Sequence, residues 1–434
     1  MIARNLHGLK VEKSSRNLTS YAGLPMLTEL AHQSGLIRDL DSIPGIWQRH
    51  GDYTTSDYVM GLALTLIAGG EGLDDMRLLS HDAGLRQMAL YDVPASNSAG
   101  EFLRRLKQRT LYLLGQVNSK QVGRFIERRS FKRLTLDIDS TLIESQKKEA
   151  AMTYNGFEGY NPVLAWLAEA NLFLAEIFRP GNISPQSHVL SLLKHCLKVL
   201  PAGIELWFRS DSAGYQWAVM QECVDRNVPF AICADLNVAV KEVIEQIPDE
   251  KWRLVVRGSD LFLLAETVYA PGCGHSGEKL PAFRLVVTQR LTGQLELFKS
   301  HIKYHAIISS LPESMNSEQV LDFYNGRGSM EKAIGELKNG FGLDKLPCGQ
   351  LLANAGFLQI AMLAYNLVEI FKQEALPEGW KRFCVKNLRF RLLCQAGIVV
   401  RHAGSMALKL SRAFPFFEIF EKARWAVLSP ALAT

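Results

Sequence analysis

The spacing of apolar residues predicts a chain that is helical at both ends and mixed in the middle. Over residues 24–40 and 56–70, apolar side chains recur at the three- and four-residue intervals of amphipathic helices, and glycine or Pro-Gly steps interrupt the pattern. Helical spacing returns at residues 351–373, and we expect the chain beyond them to be helical as well. The pattern therefore predicts helical flanks around a central part of different character.

The central part begins with an alternating, β-branched segment at residues 131–144. Extended segments follow at 150–155 and 172–181, and helices and strands then alternate through residues 185–235. The predicted order is strand, strand, strand, helix, strand, helix, strand. This order is typical of an α/β layer architecture.

Between residues 252 and 310 the pattern is that of strands alone, with glycine-rich turns between five short segments. A helical pattern returns only after these strands. We therefore interpret them as a β-rich insertion within the α/β core.

Four polar residues share the helical pattern that follows. Tyr324, Arg327, Glu331 and Lys338 occur at offsets that place them within about 60° of one another on a helix. An aromatic ring, a carboxylate and two cations would then project together, as in a site that holds a phosphate beside a metal ion.

The same offsets also occur on ordinary amphipathic helices, where such charges are solvated. Gly326 and Gly328 flank Arg327, which leaves open whether the helix is regular before Ser329. Tyr324 and Arg327 could therefore approach from a turn instead. The set needs carboxylate partners elsewhere in the chain.

Candidate partners lie in the predicted strands. Asp137 and Asp139 are two residues apart in the first strand and so on the same face, and Asp211 ends the fourth strand. Aspartate is disfavoured inside strands and costly to bury unpaired, which favours a functional role. Asp211 also suits a helix N-cap, because Ser-Ala-Gly follows it. We expect these acids to gather at one edge of the sheet.

Composition is that of a folded protein: 434 residues, 47% apolar and 21% charged. Seven cysteines without a CxxC pair indicate reduced thiols and argue against a structural zinc site. No uninterrupted apolar run approaches the length of a membrane span, and the first residues lack the apolar region of a signal peptide. We therefore expect a cytoplasmic protein with no membrane partner.

The net charge of +5 is unevenly distributed. Residues 101–134 carry ten Lys or Arg against two Glu, and residues 371–434 carry eleven against four, so the rest of the chain is net acidic. Basic segments on either side of an acidic middle are typical of a protein that binds a polyanion with its flanks and metal at its centre. The alternative is that the basic residues only form solvated helix faces. A short helix, a turn and the first basic segment also allow a helix-turn-helix, or ordinary helical packing.

Together these residues resemble the DDE transposases of bacterial insertion sequences. Asp139 in DIDST, Asp211 in FRSDSAGY and Glu331 in a complete Tyr-x2-Arg-x3-Glu-x6-Lys signature look like the three acids of that family. The family motif has the first acid directly before Ser-Thr, which favours Asp139 and leaves Asp137 as the alternative ligand. The resemblance covers nearly the whole chain, including the GYNPVLAWL stretch after the first strand.

The resemblance implies an α/β fold with an RNase H-like catalytic core, a mixed sheet with helices on both faces. A β-strand insertion interrupts the core, and helical N- and C-terminal regions flank it. The implied regions are a helical N-terminal DNA-binding region (1–130), the first part of the core (131–251), the β-rich insertion subdomain (252–310), the Glu-bearing helix of the core (311–350) and a basic helical C-terminal region (351–434).

The implied activity is DNA transposition. The enzyme would bind terminal inverted repeats, cleave at the element ends and transfer the 3′ ends to target DNA, as a homodimer in a synaptic complex associated with the nucleoid. Asp139, Asp211 and Glu331 would bind two Mg²⁺ ions, for which Mn²⁺ can substitute. Such a pair stabilises both the attacking and the leaving oxygen of the displacement.

Tyr324, Arg327 and Lys338 would contact phosphates at the transposon end, with Arg327 suited to bidentate contact. Trp252, which opens the insertion, is a candidate for stacking on a flipped base, or else a buried core ring. The alternatives to a transposase are an RNase H-like metal-dependent nuclease without strand transfer and a non-catalytic DNA-binding protein.

Overall fold

The computed structural model describes residues 11–14, 16–44, 53–88, 92–272, 279–292 and 301–429. The β-strands are β1 (Leu18–Thr19), β2 (Arg133–Ser140), β3 (Ile143–Glu144), β4 (Ala151–Met152), β5 (Glu158–Tyr160), β6 (Val163–Leu167), β7 (Leu172–Ile177), β8 (Glu205–Ser210), β9 (Phe230–Cys233), β10 (Arg253–Arg257), β11 (Asp260–Tyr269), β12 (Phe283–Thr292), β13 (His301–Ser309), β14 (Gly397–His402) and β15 (Ser405–Leu410).

The α-helices are α1 (Leu24–Gln33), α2 (Leu36–Asp41), α3 (Thr55–Ala68), α4 (Met76–Ser80), α5 (Ala83–Met88), α6 (Ser96–Arg105), α7 (Gln108–Arg129), α8 (Val189–Val199), α9 (Trp217–Asp225), α10 (Val238–Glu245), α11 (Ser317–Asn325), α12 (Gly328–Gly340), α13 (Leu351–Ala375), α14 (Glu378–Lys381), α15 (Val385–Leu388) and α16 (Phe417–Val427).

A mixed nine-stranded sheet forms the centre of the protein. Its strand order is β10-β11-β12-β13-β9-β8-β2-β6-β7. β8 pairs in parallel with both β2 and β9, whereas β6 and β7 continue from β2 in antiparallel pairs. Along the chain, β2, β6 and β7 are followed by α8, β8, α9 and β9. The mixed α/β class and this order of elements agree with the prediction from the sequence.

The second strand of this series lies elsewhere than the sequence pattern predicts. The pattern predicts it at residues 150–155, but there the chain forms only β4, in a separate sheet of order β3-β5-β4. The second core strand is β6, in which every residue is buried. A strand covered on both faces shows no alternation of apolar and polar residues, which explains the error.

The strands β10 to β13 continue the same sheet. β13 pairs antiparallel with β9, and β12, β11 and β10 follow outward in turn. The segment between residues 252 and 310 therefore extends the core sheet instead of forming a layer of its own. One predicted strand, at residues 293–299, lies outside the described residues.

Helices lie on both faces of the sheet. Trp207 and Ile307 point to one face, where they join a cluster with Val320 and Leu321 of α11. The adjacent residue Phe208 belongs to a larger cluster on the other face, which includes side chains of α8, α9 and α10. This alternation of neighbouring residues between two cores is expected of strands covered on both sides.

The N- and C-terminal regions pack together around α13. This helix contacts α3, α6, α7 and α16. It is long and apolar enough to cross a membrane, but 89% of its most apolar window is buried inside the protein. In the described part of the chain it therefore serves as the central core helix of the helical layer.

The C-terminal region is not entirely helical, contrary to the prediction. β14 and β15 form an antiparallel hairpin, and β14 also pairs with β1. The hairpin turn contains Ala403 and Gly404, both with positive φ (47° and 80°). Two such residues match the twist of the flanking strands. Val399 and Val400 are β-branched, which favours extended structure over a helix.

Candidate active site

Two neighbouring parallel strands bring Asp139 and Asp211 together. Within the pair of β2 and β8, Asp137 lies opposite Arg209 and Ile138 opposite Ser210. Asp139 is the next residue of β2 and Asp211 is the residue directly after β8, so both lie at the same edge of the sheet. Their carboxylates thus meet where adjacent parallel strands end, as the sequence predicts.

Asp211 also acts as a helix cap. Its Oδ1 accepts a hydrogen bond from the backbone N–H of Ala213 at 3.0 Å, in the 3₁₀ turn that follows β8. Its Oδ2 lies 3.8 Å from the guanidinium of Arg327. Asp211 therefore caps the turn, as the sequence suggested, with one carboxylate oxygen. Its other oxygen is directed towards Arg327.

A break between two helices positions Arg327 and Glu331. α11 ends at Asn325 and α12 begins at Gly328, so Tyr324 and Glu331 lie on different helices and Arg327 lies in the junction. The four residues therefore do not share one regular helix, because the helix is interrupted at the glycines.

Arg327 lies between the three acids. Its Nη2 is 2.8 Å from Asp139 Oδ2, and its Nη1 is 3.1 Å from Glu331 Oε1. With Asp211 at 3.8 Å, carboxylates from β2, β8 and α12 surround one guanidinium. Arg327 and Asp139 are mostly buried, whereas the side chain of Glu331 is 62% exposed. The site is therefore open to solvent on the side of Glu331.

Burial and mutual repulsion perturb the acids. Burial raises the pKa of Asp139 to about 6; the positive charge of Arg327 opposes this rise, and the charges of Asp211 and Glu331 add to it. Burial alone would lower the pKa of Arg327, but the surrounding carboxylates raise it above its usual value. The acids thus compete for one cation and repel one another, which favours binding of further positive charge.

Asp137 has a different environment from Asp139. It is fully buried, and both of its oxygens accept hydrogen bonds from Arg209, from Nε and from Nη2, each at 2.7 Å. Arg209 Nη1 also donates to the backbone carbonyl of Phe323 at the end of α11. A Cβ at Gly326 would collide with this guanidinium, so glycine is needed at the junction.

Sequence reasoning did not identify Arg209 as part of the site. The signal is present in the pattern: Arg209 is two residues before Asp211, as Asp137 is two residues before Asp139. If the two strands are parallel and in this register, Asp137 must lie next to Arg209, directly beneath the two acids. The register itself could not be read from the sequence.

The other two signature residues, Lys338 and Tyr324, have surroundings of their own. Lys338 Nζ donates to the carbonyl of Leu142, just after β2, at 2.6 Å. Burial lowers the pKa of Lys338. Tyr324 is buried, and its ring packs against His305 with centroids 5.3 Å apart. Trp252 is half-buried, with its ring centroid 6.3 Å from that of Tyr304.

The donor set of the site suits hard divalent cations. Carboxylate oxygens from separate elements are the ligands that Mg²⁺ and Mn²⁺ prefer. Within the described ranges, no three His, Cys, Asp or Glu side chains stand close enough together to hold a metal ion. The guanidinium of Arg327 occupies the space between the acids. The carboxylates of Asp139, Asp211 and Glu331 are therefore suitable metal ligands. A bound metal ion would have to displace part of the Arg327 guanidinium.

Comparison with known proteins identifies the family. The family model described as "Transposase DDE domain group 1" matches residues 4–429. The chain belongs to this transposase family. The curated protein sequences give no significant match. The chain is also similar to a piggyBac transposase in a cryo-EM structure of a synaptic complex with hairpin DNA, with a TM-score of 0.46 and 11% identity over 87% of this chain and 82% of that one.

As a DDE transposase, the protein acts on DNA. Some of its Lys and Arg side chains are paired with acids inside the protein and are not available to DNA phosphates. Lys120 and Arg124 of α7 both pair with the buried Asp39, and Lys372 pairs with the buried Glu369. Other cations of the two basic segments are exposed, among them Arg104, Lys107, Arg109, Arg401, Lys409, Arg412, Lys422 and Arg424. These exposed side chains are the cations available to phosphates.

Proposed function

We propose that the protein is the transposase of a bacterial insertion sequence, which binds terminal inverted repeats, cleaves at the element ends and transfers the 3′ ends to target DNA. The convergence of Asp139, Asp211 and Glu331 on Arg327 carries this proposal. The three acids come from separate elements, far apart in the sequence. A cluster of this kind is what metal-dependent cleavage of a phosphodiester requires.

The strands β7, β6, β2, β8 and β9 are proposed to form an RNase H-like core. Three antiparallel strands are followed by two parallel ones, with α8 and α9 in the connections. One acid lies near the end of β2 and another directly follows its parallel neighbour β8. This agrees with the placement that the family resemblance implies for the first two acids.

Asp139, Asp211 and Glu331 are proposed as the ligands of two Mg²⁺ ions, for which Mn²⁺ can substitute. When bound, such a pair stabilises the attacking and leaving oxygens of an in-line displacement. Asp139 is preferred to Asp137 because Arg209 already occupies both oxygens of Asp137. These bonds support a structural role for Asp137 and leave Asp139 as the proposed ligand.

Arg327 and Lys338 are proposed to hold phosphates at the transposon end, together with Tyr324. Arg327 Nε is buried without a hydrogen-bond partner in the described part of the protein, so one donor of the guanidinium is left for a phosphate oxygen. Lys338 would provide a point charge next to β2. Tyr324 is included through the family signature, and its packing on His305 fixes the end of α11.

The exposed cations of α7 and of the β14–β15 hairpin are proposed to bind the inverted-repeat DNA through its phosphates. They lie in the predicted N-terminal DNA-binding region (1–130) and in the basic C-terminal region (351–434). By analogy with the family, a homodimer would hold two element ends in the synaptic complex, in the cytoplasm at the nucleoid. Contacts of this kind position DNA without reading its sequence.

Purified protein tests the proposal on DNA that carries the inverted repeats bracketing its gene, with Mg²⁺ and a target plasmid. We expect cleavage at the element ends and joined products in the plasmid. Cleavage without joined products would contradict the proposal in favour of a metal-dependent nuclease. Binding without cleavage would contradict it in favour of a non-catalytic DNA-binding protein.

A further inference from the structure

A cavity of about 320 Å³ lies at the β7 edge of the sheet, between α7, α8 and α13. Much of its wall is apolar, with Leu111, Leu192 and Met362 among the lining residues. Glu176 of β7 and Gln359 of α13 are among the polar side chains of the wall. The volume lies in the range of pockets that enclose small molecules, which are mostly apolar with a few polar groups.

Glu176 and Gln359 each have a buried oxygen without a partner. Gln359 Nε2 donates to Glu176 Oε1 at 2.7 Å. Within the described structure, Glu176 Oε2 and Gln359 Oε1 accept no hydrogen bond. A buried acceptor left unpaired destabilises the protein. The cavity therefore favours an occupant that brings N–H donors.

The carboxyl of Glu176 also lacks a counter-ion. Among the described residues that line the cavity there is no lysine or arginine, and burial lowers the pKa of the lining His195. Burial raises the pKa of Glu176 to about 7; the hydrogen bond from Gln359 and the nearby backbone N–H of Phe178 lower it only in part. A cationic occupant would stabilise the charged carboxylate.

The cavity is a neighbour of the acidic site and not a part of it. Leu164 of β6 pairs with Glu176 on one side and with Asp139 on the other, so the three side chains share one face of the sheet. Glu176 and Asp139 are therefore two strand spacings apart, roughly 10 Å. Buried Leu164 lies between them, and Asp139 does not line the cavity.

We propose that this cavity binds a small organic cation with an apolar body and a planar amidinium or guanidinium group, held by Glu176 and Gln359. The parallel N–H donors of such a group can reach two acceptor oxygens at once. The apolar wall receives the body of the ligand. A neutral apolar ligand would leave both oxygens unpaired, and a hydrated inorganic cation would not match the apolar wall.

Isothermal titration calorimetry of the full chain without DNA tests the site, with benzamidine as the probe and benzamide as its neutral counterpart. We expect saturable one-to-one binding of benzamidine and at least about tenfold weaker binding of benzamide. Glu176→Gln should weaken benzamidine binding by at least about tenfold, because it removes the charge and turns an acceptor into a donor. Glu127→Gln, an exposed change on α7, is the matched control and should leave binding unchanged.

A second variant fills the cavity and leaves the carboxylate in place. Gly115 of α7 lines the cavity, and a Cβ there would make an ordinary contact of 3.5 Å with Gln359 Nε2. Gly115→Met should therefore abolish benzamidine binding, and it carries the test if Glu176→Gln fails to fold. Absence of benzamidine binding to the unaltered protein, or equal binding of benzamide, would overturn the proposal.

Discussion

Arg209 and Asp137 form a fully buried, bidentate ion pair directly beneath the two acids Asp211 and Asp139. Arg209 also donates to the carbonyl of Phe323, so one guanidinium ties β2, β8 and the end of α11 together. Each of these elements leads into a residue of the acidic site. The ion pair therefore holds together the three elements that lead into the acidic site.

Loss of this ion pair should destabilise the fold. Arg209→Met leaves the carboxylate of Asp137 buried and unpaired, which costs about 3–5 kcal/mol. Urea unfolding followed by circular dichroism measures the change. Arg226→Met, which removes an arginine that is 65% exposed in its pair with Glu222, is the control and should cost less than about 1 kcal/mol. Equal stability of the two variants would show that the buried pair is not structural.

Arg327 should compete with metal ions for the three acids. Its guanidinium occupies the space between Asp139, Asp211 and Glu331, so Arg327→Ala should raise the affinity for Mn²⁺ in the absence of DNA by at least about tenfold, or about 1.4 kcal/mol. Electron paramagnetic resonance of free Mn²⁺ measures this affinity. Lys338→Ala removes a cation bonded to a backbone carbonyl and should leave Mn²⁺ binding nearly unchanged. Unchanged affinity in Arg327→Ala would contradict the competition.

The exposed cations at the start of α7 should contribute to DNA affinity through phosphates. Replacing both Lys107 and Arg109 by alanine removes two such contacts and should reduce the slope of log K against log salt by about 1.8 for duplex DNA. Fluorescence anisotropy over a range of salt concentrations measures the slope. Arg226→Ala, outside both basic segments, should leave the slope unchanged. An unaltered slope in the double variant would place the DNA elsewhere.

Glu176 should make stability depend on pH. Because its pKa is raised from 4.5 to about 7, the folded protein keeps a proton that the unfolded chain releases, and the free energy of unfolding falls as pH rises through this window. Glu176→Gln should lie within about 1 kcal/mol of the unaltered protein at pH 5 and exceed its stability at pH 8 by up to about 3 kcal/mol. Urea unfolding at both pH values measures this. A variant that is less stable at pH 8 would mean that the charged carboxylate has a partner.

The sequence was sufficient to predict the acids but not what surrounds them. Asp139 and Asp211 could be placed at one sheet edge because alternation and chain order determine where parallel strands end. The pairing of Asp137 with Arg209 could not be predicted, since it depends on the register of strands 72 residues apart. The same limit applies to the hairpin β14–β15, whose partner strand β1 lies near the opposite end of the chain. Such contacts are decided by tertiary packing, which overrides local propensity.

The central claim is that Asp139, Asp211 and Glu331 form the metal-dependent cleavage site. Cleavage of inverted-repeat DNA in Mg²⁺ tests it most directly, with DNA binding measured on the same preparations. Asp139→Asn, Asp211→Asn and Glu331→Gln should each abolish cleavage and leave DNA binding largely intact, whereas Asp225→Asn, at an exposed carboxylate of α9, should cleave normally. Normal cleavage by Asp139→Asn, with its loss in a folded Asp137→Asn, would contradict the assignment.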